Sequence, residues 1–417
     1  MSEPLSRRAL LATLGAAALA GCLDDTDVDP ETDTDADSPS GTSTRPPTET
    51  ASDADQSSTP TGDPTPPERF ESAWPLPAFD PGRSNYSPDA PGPTTRIAEL
   101  WRTTADAGLS APVVADETLF VGGDDGGVQA LDARTGDERW RLPVGASAGT
   151  PWLLDGRLYV PTADAIVALD ADERTEAWRI DTPDRADVLV APSGVYWLSA
   201  GEPPTVVAHA RADGSERWRA EIGEPWSPRL LAGDGTVFLS SGTHDFEFWR
   251  FDADSGAVIG DEPRLGNDFP AEQFYQDGTV YAADSFFGRV RATVVDGDGD
   301  GWVQDDLEPG GRAAWLLSGG TDQLYYTSNW DDGPGLYALS TADGSVAWTV
   351  DVEPAITTRP VVAREAILLG TDAGLMCFDP ADGNKLWTTP AVGGSVVVVD
   401  DLVYATGGKT VRALRPL

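Results

Sequence analysis

The sequence contains few of the residues that build disulfides, metal centres and hydrolytic active sites. Its 417 residues include only two cysteines, Cys22 and Cys377, and two histidines, His209 and His244. Two separated histidines favour neither a zinc cluster nor a hydrolytic triad. If Cys22 carries lipid, as argued below, no cysteine pair remains for a disulfide, and we expect Cys377 to be a buried thiol. We therefore predict no catalytic residues and a structural role for His209.

Helical periodicity and basic charge are also scarce. Beyond the first twenty residues, no segment of useful length repeats its apolar residues with helical spacing, which favours an all-β protein. The chain has 69 acidic and 29 basic residues and a formal net charge of −40, and its only lysines are Lys385 and Lys409. Because no basic stripe exists to neutralise phosphates, we do not expect nucleic acid as a partner.

The acidic residues are spread over the whole chain, and arginine almost replaces lysine. This pattern favours adaptation to very high salt, where ions screen the repulsion between carboxylates and the carboxylates keep the protein hydrated. A specific cationic partner is the alternative explanation of the charge.

What the sequence does contain is a repeated phrase of eleven residues that ends in tryptophan. Its first copy, 130–140, reads Ala-Leu-Asp-Ala-Arg-Thr-Gly-Asp-Glu-Arg-Trp. Further copies occupy 168–178, 208–218, 338–348 and 377–387. The final tryptophans of the first three copies lie 38 and 40 residues apart, and those of the last two lie 39 apart. A fixed period of this size indicates one supersecondary unit that is copied and stacked.

Each repeat resolves into four short strands. In residues 111–144, four apolar segments alternate with turns rich in Gly, Asp and Thr, as in an antiparallel meander. Four strands per repeat fit a blade of a β-propeller, in which the tryptophan covers the neighbouring blade. We assign this blade-docking role to Trp101, Trp140, Trp178, Trp218, Trp302, Trp348 and Trp387.

The predicted number of blades depends on degenerate copies of the phrase, at 251–256 and 291–302. When these are included, first strands begin near residues 111, 150, 187, 227, 270, 313, 358 and 395, which predicts an eight-bladed β-propeller of four-stranded antiparallel blades. The last set has only three strands, and residues 98–103 supply the missing outer strand, so that no sheet edge stays open. Seven blades is the alternative if one degenerate copy is an insertion.

The repeated phrase, Ala-x-Asp-x-x-Thr-Gly-x-x-x-Trp, resembles the repeat of the pyrroloquinoline-quinone-type (PQQ-like) β-propeller family. The leading segment from Trp74 to Tyr86 resembles the segment that precedes the blades in that family, and the resemblance covers residues 72–417. It implies a propeller fold without fixing one function. The same repeat builds quinoprotein dehydrogenases and cofactor-free scaffolds such as the bacterial outer-membrane assembly lipoprotein.

The resemblance also separates the candidate functions. The alcohol dehydrogenases of the family carry two adjacent cysteines beside the quinone, and this sequence has no such pair. We therefore predict a non-catalytic cell-surface scaffold, a monomeric propeller that binds an unknown protein or small-molecule ligand and needs no cofactor. A dehydrogenase that uses PQQ is the first alternative, and an extracellular sensor or solute-binding module is the second.

The N-terminal residues predict export and lipidation. Arg7 and Arg8 precede an apolar run, 9–20, that is too short to span a bilayer and is followed by Gly-Cys, with the cysteine at Cys22. This order indicates a twin-arginine lipoprotein signal peptide over 1–21. An acylated Cys22 would anchor the protein to the outer face of the cytoplasmic membrane. An uncleaved anchor or a coincidental cysteine is the alternative interpretation.

The segment after Cys22 differs sharply in composition from the rest of the chain. Residues 22–70 are rich in Asp, Ser, Thr and Pro and contain no aromatic residue before Phe70. Such a segment cannot bury enough apolar surface to offset its ordering entropy, which predicts a disordered stalk. The propeller would then occupy residues 71–417.

One acidic motif resembles a calcium loop. Asp296, Asp298 and Asp300 alternate with glycine, a spacing that converges carboxylate oxygens on a hard cation. At the twelfth position of an EF-hand loop the sequence has Leu307 instead of a bidentate Glu. An acidic hairpin without metal is therefore the alternative to a Ca²⁺ site.

Aromatic and charged residues cluster in loops that we expect on one face of the propeller. In a four-strand blade, the loops between the second and third strands emerge on the same face as the links between blades. Exposed aromatic residues interleaved with charge commonly form recognition surfaces. We assign to this predicted binding surface Trp226, Arg229, His244, Phe246, Phe248, Phe269, Phe286, Phe287, Trp330, Asp331 and Arg359. The alternative is that these side chains only cover the ends of the blades.

Overall fold

The computed structural model describes residues 69–223, 228–241, 247–260, 270–284, 288–295, 299, 301–305, 307, 316–328, 335–390 and 394–417. These residues form short β-strands, β1 to β32, joined by turns. Within the described ranges there is no helix, and hence none of the length and apolarity needed to cross a membrane.

The strands form eight consecutive sheets, numbered here as blades 1 to 8. Blade 1 consists of β3 (Val113–Ala115), β4 (Thr118–Gly122), β5 (Gly127–Asp132) and β6 (Glu138–Pro143), and blade 2 of β7 (Trp152–Leu154), β8 (Arg157–Pro161), β9 (Ala165–Asp170) and β10 (Thr175–Asp181). Blade 3 consists of β11 (Arg185–Ala191), β12 (Gly194–Ser199), β13 (Thr205–His209) and β14 (Glu216–Glu221). The described strands of blade 4 are β15 (Arg229–Gly233), β16 (Thr236–Ser241) and β17 (Glu247–Asp252). Blade 5 consists of β18 (Pro270–Gln276), β19 (Thr279–Asp284), β20 (Val290–Val294) and β21 (Trp302–Gln304), and blade 6 of β22 (Leu316–Ser318), β23 (Gln323–Thr327), β24 (Leu336–Ser340) and β25 (Val346–Val350). Blade 7 consists of β26 (Val361–Ala363), β27 (Ile367–Thr371), β28 (Gly374–Phe378) and β29 (Lys385–Pro390). Blade 8 consists of β30 (Ser395–Val399), β31 (Leu402–Gly407) and β32 (Thr410–Pro416), together with β2 (Ile97–Thr104). The short strand β1 (Tyr86–Ser87) pairs in parallel with β26. In the described part of blade 4, an isolated bridge between Phe251 and Val258 follows the three strands.

The core lies between neighbouring blades. Leu131 of blade 1 and Val398 of blade 8, for example, belong to one buried cluster that also includes Tyr404. Because both faces of each sheet are covered, the central strands are continuous apolar runs, and every residue of β27 and β28 is buried. Outer strands such as β6 instead alternate between more exposed and less exposed residues along much of their length.

Two-residue turns join the first and second strands of several blades. Asp155 and Gly156 have φ values of 51° and 72°, and Asp277 and Gly278 have values of 50° and 76°. Positive φ at both positions is the backbone of a type I′ turn, which matches the twist of the flanking strands. The Asp-Gly pairs in the sequence therefore set the register of these hairpins.

The Thr-Gly turn of the repeated phrase receives the tryptophan of the preceding blade. Gly136 has a φ of 76°, and a Cβ on it would lie 2.5 Å from the ring of Trp101. The indole nitrogen of Trp101 donates a hydrogen bond of 2.9 Å to the carbonyl oxygen of Ala133. Glycine is thus required both by the backbone conformation and by the space that the ring occupies. The same contact pairs Trp178 with Gly214, Trp218 with Gly256, Trp302 with Gly344, and Trp348 with Gly383.

Trp140 and Trp387 dock differently. The turn that faces Trp140 has Arg174, with a φ of 59°, where other blades have glycine. Trp140 packs 5.8 Å from Phe120 and makes no hydrogen bond to any residue that the structure describes. Trp387 donates 2.8 Å to the carbonyl oxygen of Pro93, in the chain that leads to β2.

The N-terminal strand β2 closes the ring. It pairs antiparallel with β32, and Trp101 lies opposite Ala413. Blade 8 therefore combines three C-terminal strands with one N-terminal strand, as the sequence predicts. The eight-bladed β-propeller is confirmed, and the alternative of seven blades is wrong.

Candidate functional site at the centre of the ring

The residues that precede β2 cross the centre of the ring, and we name residues 71–92 the plug segment. Backbone hydrogen bonds between this segment and the first-strand region of six blades join Trp74 to Val114, Pro75 to Leu153, Pro81 to Ala232, Gly82 to Tyr275, Ser84 to Gly319, and Asn85 to Val362. Side chains complete the circle: Arg83 donates to the Val188 carbonyl oxygen in blade 3, and Ser72 donates to Asp400 in blade 8, both over 2.8 Å. The plug segment thus contacts all eight blades, seven of them at the end of the ring where first and second strands join and blade 3 farther along its first strand.

The plug segment turns tightly, and its contacts with the blades compensate for the strain. Four of its non-glycine residues have positive φ: Ala78, Phe79, Arg83 and Asn85. Each such residue costs on the order of 1 kcal/mol, so the surrounding bonds must fix the conformation. At Gly82, a Cβ would lie 2.2 Å from the carbonyl oxygen of Tyr275, so only glycine allows this close approach.

A layer of charged side chains lies next to the plug segment. In blades 4, 5 and 7, the first-strand residues bonded to the plug segment are Ala232, Tyr275 and Val362. The residues three positions earlier are Arg229, Glu272 and Arg359. Blade 3 has Asp187 at the equivalent position, five residues before its first turn. We name Asp187, Arg229, Glu272 and Arg359 the central layer. Because an extended strand rises by about 3.3 Å per residue, three residues place this layer roughly 10 Å from the hydrogen bonds to the plug segment. The other four blades have Ala111, Thr150, Leu316 and Ser395 at this position.

Arg83 extends from the plug segment into the central layer. Its Nη2 lies 3.0 Å from the Asp187 carboxylate, and its Nε donates over 3.0 Å to the carbonyl oxygen of Leu230. Only 11% of the Arg83 side chain and 14% of the Asp187 side chain are exposed. Burial lowers the pKa of Arg83, and the carboxylate of Asp187 is the main opposing influence. The ion pair is therefore fixed between blades 3 and 4 and held away from bulk water.

Arg359 makes the second ion pair of the centre. Its Nη1 lies 3.5 Å from Oε1 of Glu272, with 15% and 13% of the two side chains exposed. Its Nη2 donates over 2.7 Å to the carbonyl oxygen of Arg83, and its Nε donates to the carbonyl oxygen of Leu317. Burial lowers the pKa of Arg359, and Glu272 opposes this effect. One guanidinium thereby connects blades 5, 6 and 7 with the plug segment.

Asp80 is a buried acid of the plug segment. Its carboxylate accepts hydrogen bonds from the backbone N–H of Ser84, over 3.1 Å, and from the Ser84 hydroxyl. Desolvation by burial raises the pKa of Asp80, although both bonds and the charge of Arg359 act in the opposite direction.

Arg229 differs from the other two arginines of the centre. It is partly exposed, and its guanidinium has no ion pair or hydrogen bond among the described residues. Its charge lowers the pKa of both Arg83 and Arg359. Arg83 and the central layer together contain three guanidinium groups and two carboxylates. Asp80 of the plug segment adds a third acid that acts on Arg359, while Asp187 and Glu272 are already engaged in ion pairs.

The structure places three residues of the predicted binding surface among the described residues. Phe248 is fully buried and stacks on Phe238 with ring centres 5.5 Å apart, so its assignment to an exposed surface is wrong. Arg229 and Arg359 both lie in the central layer. The side chain of Arg359 is largely buried and hydrogen-bonded there. The remaining predicted site residues lie outside the described residues: Arg7, Arg8, Cys22, Trp226, His244, Phe246, Phe269, Phe286, Phe287, Asp296, Asp298, Asp300, Trp330 and Asp331.

His209 and Cys377 have structural surroundings. His209 is buried, its Nε2 accepts a bond of 3.2 Å from the indole of Trp197, and its Nδ1 lies 2.9 Å from the carbonyl oxygen of Gly214. Cys377 is fully buried, its thiol lies 3.5 Å from the Pro93 carbonyl oxygen, and burial raises the pKa of the thiol. Within the described ranges, no three His, Cys, Asp or Glu side chains are grouped to hold a metal ion.

Reasoning from sequence missed four charged residues of the centre. Asp80 and Arg83 lie in the leading segment, but no local pattern shows that this segment crosses the ring. Asp187 and Glu272 resemble any other acid in an acid-rich chain. Their position could have revealed them, because each stands five residues before a first-strand turn, in phase with Arg229.

Comparison with known proteins supports the assignment of the repeats. The family described as "Outer membrane protein assembly factor BamB" matches residues 96–196, 164–285 and 276–417. BamB of Bordetella pertussis is 24% identical over 316 residues, which cover 72% of this chain and 69% of the relative. The serine/threonine-protein kinase AfsK of Streptomyces griseus is 33% identical over 159 residues, but these cover 34% of this chain and only 19% of the kinase.

A solved structure shares the architecture. The quinohemoprotein alcohol dehydrogenase of Comamonas testosteroni has a TM-score of 0.61 and covers 82% of this chain and 80% of its own, at 15% identity. At this identity the likeness shows the fold alone. The family match along the blades confirms the resemblance to PQQ-like repeats, and the chain belongs to the family of the outer membrane protein assembly factor BamB.

Proposed function

We propose that this protein is a non-catalytic scaffold outside the cytoplasm that binds another protein. The observation that carries the proposal is the plug segment, which is bonded to every blade and joins the ring into one rigid platform. Rigid scaffolds of this kind commonly present binding residues on their loops. The name of the relative from Bordetella pertussis, an assembly factor, supports the same role.

The chemistry of the described residues supports binding more than catalysis. Asp187 and Glu272 are held in ion pairs, Asp80 is bonded to Ser84, and Cys377 is a buried thiol. The adjacent cysteines that accompany the quinone in related dehydrogenases are missing from the sequence. The residues present therefore do not fit a quinone held in that way.

The proposed location rests on the N-terminal sequence. A lipid on Cys22 would anchor the protein to the outer face of the cytoplasmic membrane, and residues 22–70 would form the stalk. The acidic composition supports an environment of high salt. Ca²⁺ at Asp296, Asp298 and Asp300 is proposed from the sequence pattern, and calorimetric titration of wild type and Asp298→Ala tests it.

Affinity capture from membranes in matched salt tests the scaffold role. The bait is the full chain, and the test variant replaces Phe287 and Trp330, two residues of the predicted binding surface, by Ser. The control is Val346→Ser, which removes an exposed apolar side chain from the outer strand β25. We expect wild type and control to capture the same protein, and the double variant to lose it while its unfolding temperature stays nearly unchanged.

Two results would contradict this proposal. Equal capture by all three baits would show that the predicted surface does not select the partner. Reduction of a dye with alcohols or sugars, after addition of PQQ and Ca²⁺, would show a quinoprotein dehydrogenase instead.

A further inference from the structure

A second proposal concerns the central layer and does not depend on the scaffold role. We propose that Arg229, assisted by Arg83, binds the oxyanion group of a small ligand, a carboxylate or a phosphate, at the centre of the ring. The ligand enters from the end opposite the plug segment.

The charge balance of this centre differs from that of the whole chain. The sequence has 69 acidic and 29 basic residues, so acids outnumber bases more than twofold. In the centre, Arg83, Arg229 and Arg359 meet the acids Asp187 and Glu272, and the buried Asp80 acts on Arg359 as a third acid. The centre therefore has as many arginines as acids, which makes it far less repulsive to an anion than the rest of the chain.

Hydrogen-bond donors remain free at this point. Arg359 uses all three of its nitrogens on Glu272 and on the backbone, whereas Arg83 uses only Nε and Nη2. The guanidinium of Arg229 and the Nη1 of Arg83 have no hydrogen bonds among the described residues. Planar guanidinium groups pair with carboxylate or phosphate oxygens through two parallel hydrogen bonds, which makes these oxyanions the fitting ligands.

Among the described residues, the plug segment covers one end of this site, where the first-strand turns lie. Arg229 stands at the start of β15 and Arg359 just before β26, which is the opposite end of the first strands. Arg229 is partly exposed, and the two buried arginines keep 11% and 15% of their side chains accessible. Among the described residues of the centre, Arg229 is thus the guanidinium most open to a small solute.

Without a ligand, Arg229 is an unfavourable neighbour for two buried cations. Burial is the main cause of the lowered pKa of Arg83 and Arg359, Asp187 and Glu272 oppose it, and the charge of Arg229 lowers the pKa of both arginines further. Like charges that lie close together destabilise a fold, and a bound oxyanion would offset the repulsion from Arg229. We therefore expect the loss of Arg229 to leave the ligand-free protein as stable as wild type, or more stable.

Isothermal titration calorimetry of the full chain tests the site, with sodium succinate and inorganic phosphate as separate probes at constant sodium and chloride concentrations. We expect saturable 1:1 binding of at least one probe to wild type, and the responding probe identifies the oxyanion class. Arg229→Gln should weaken that binding at least tenfold. Arg219→Gln is the matched control, because Arg219 carries the same charge on an exposed outer strand, paired with Glu216. This control should bind as wild type does.

Binding of neither probe to wild type, or equal binding by Arg229→Gln, would overturn the proposal. Thermal unfolding of each variant shows whether it is folded. If Arg229→Gln does not fold, Arg229→Lys retains the charge but not the paired donors, and its binding should still weaken at least tenfold. A folded Arg229→Lys with wild-type affinity would refute the paired geometry. Capture of a protein partner by the loops does not enter this measurement, so the two proposals can fail independently.

Discussion

Trp101 and Ala133 join the last blade to the first, since the indole nitrogen donates over 2.9 Å to the carbonyl oxygen. Trp101→Phe keeps most of the packing but removes this donor. The Tyr404 hydroxyl, 3.1 Å away, still bonds to the same oxygen, so we expect a loss of about 1 kcal/mol in the free energy of unfolding. Urea denaturation measures the loss. Trp140→Phe is the control without a bond to lose, and an equal loss in both variants would contradict the role of the hydrogen bond.

The glycine of the repeated phrase gives a second prediction. Gly136→Ala adds a Cβ 2.5 Å from the Trp101 ring at a φ of 76°, whereas Gly156→Ala adds one at 72° with nothing within 4 Å. Both variants carry the left-handed backbone penalty, about 1 kcal/mol. Only Gly136→Ala also forces the ring to move, which should cost a further ~2 kcal/mol. Equal denaturation midpoints for the two variants would mean that the ring contact is unimportant.

Asp80 and Asp213 should affect stability with opposite signs as the pH changes. Burial raises the pKa of Asp80, so the folded state binds its proton more tightly, and its contribution to stability falls as the pH rises from 3.8 through the folded value. Hydrogen bonds from Ser215 lower the pKa of Asp213, so its contribution is present above 3.8 and is lost as the pH falls through the folded value. We therefore expect Asp80→Asn to stabilise the protein above this range and Asp213→Asn to destabilise it there. Urea denaturation on both sides of the range checks both signs, and parallel pH profiles for wild type and Asp80→Asn would refute the first.

Lipidation at Cys22 is testable in cells. Cys22→Ser removes the thiol that would carry the acyl chains, and two chains are needed for a stable anchor. We expect the variant to lose labelled fatty acid and to move from the membrane to the medium. Cys377→Ser is the control, because this buried thiol should not affect attachment. Membrane retention of Cys22→Ser would contradict the predicted anchor.

Local patterns predicted most of the fold but little of the site. The Gly136 turn, the tryptophan that covers it and the closing strand β2 all follow from short-range sequence signals, namely turn residues, spacing and an unpaired sheet edge. Phe248 was misplaced because a buried strand and an exposed aromatic loop can have the same local composition. The plug segment has no periodicity at all, and its course is fixed by bonds to residues such as Val362, far along the chain. The charges that meet around Arg83 therefore become visible only when the ring is closed.

The pair formed by Arg83 and Asp187 should matter more than any ion pair at the rim. In Arg83→Gln, Asp187 keeps a charge in a nearly dry site, and the carbonyl oxygens of Val188 and Leu230 lose their donor. Removal of one partner from such a pair typically costs about 3 kcal/mol or more. Arg102→Gln is the control at the rim, because half of the Arg102 side chain is exposed, and its pair with Glu99 should contribute less than about 1 kcal/mol. Urea denaturation compares the two variants, and a similar small loss in both would show that the plug segment does not need this ion pair to hold the centre of the ring.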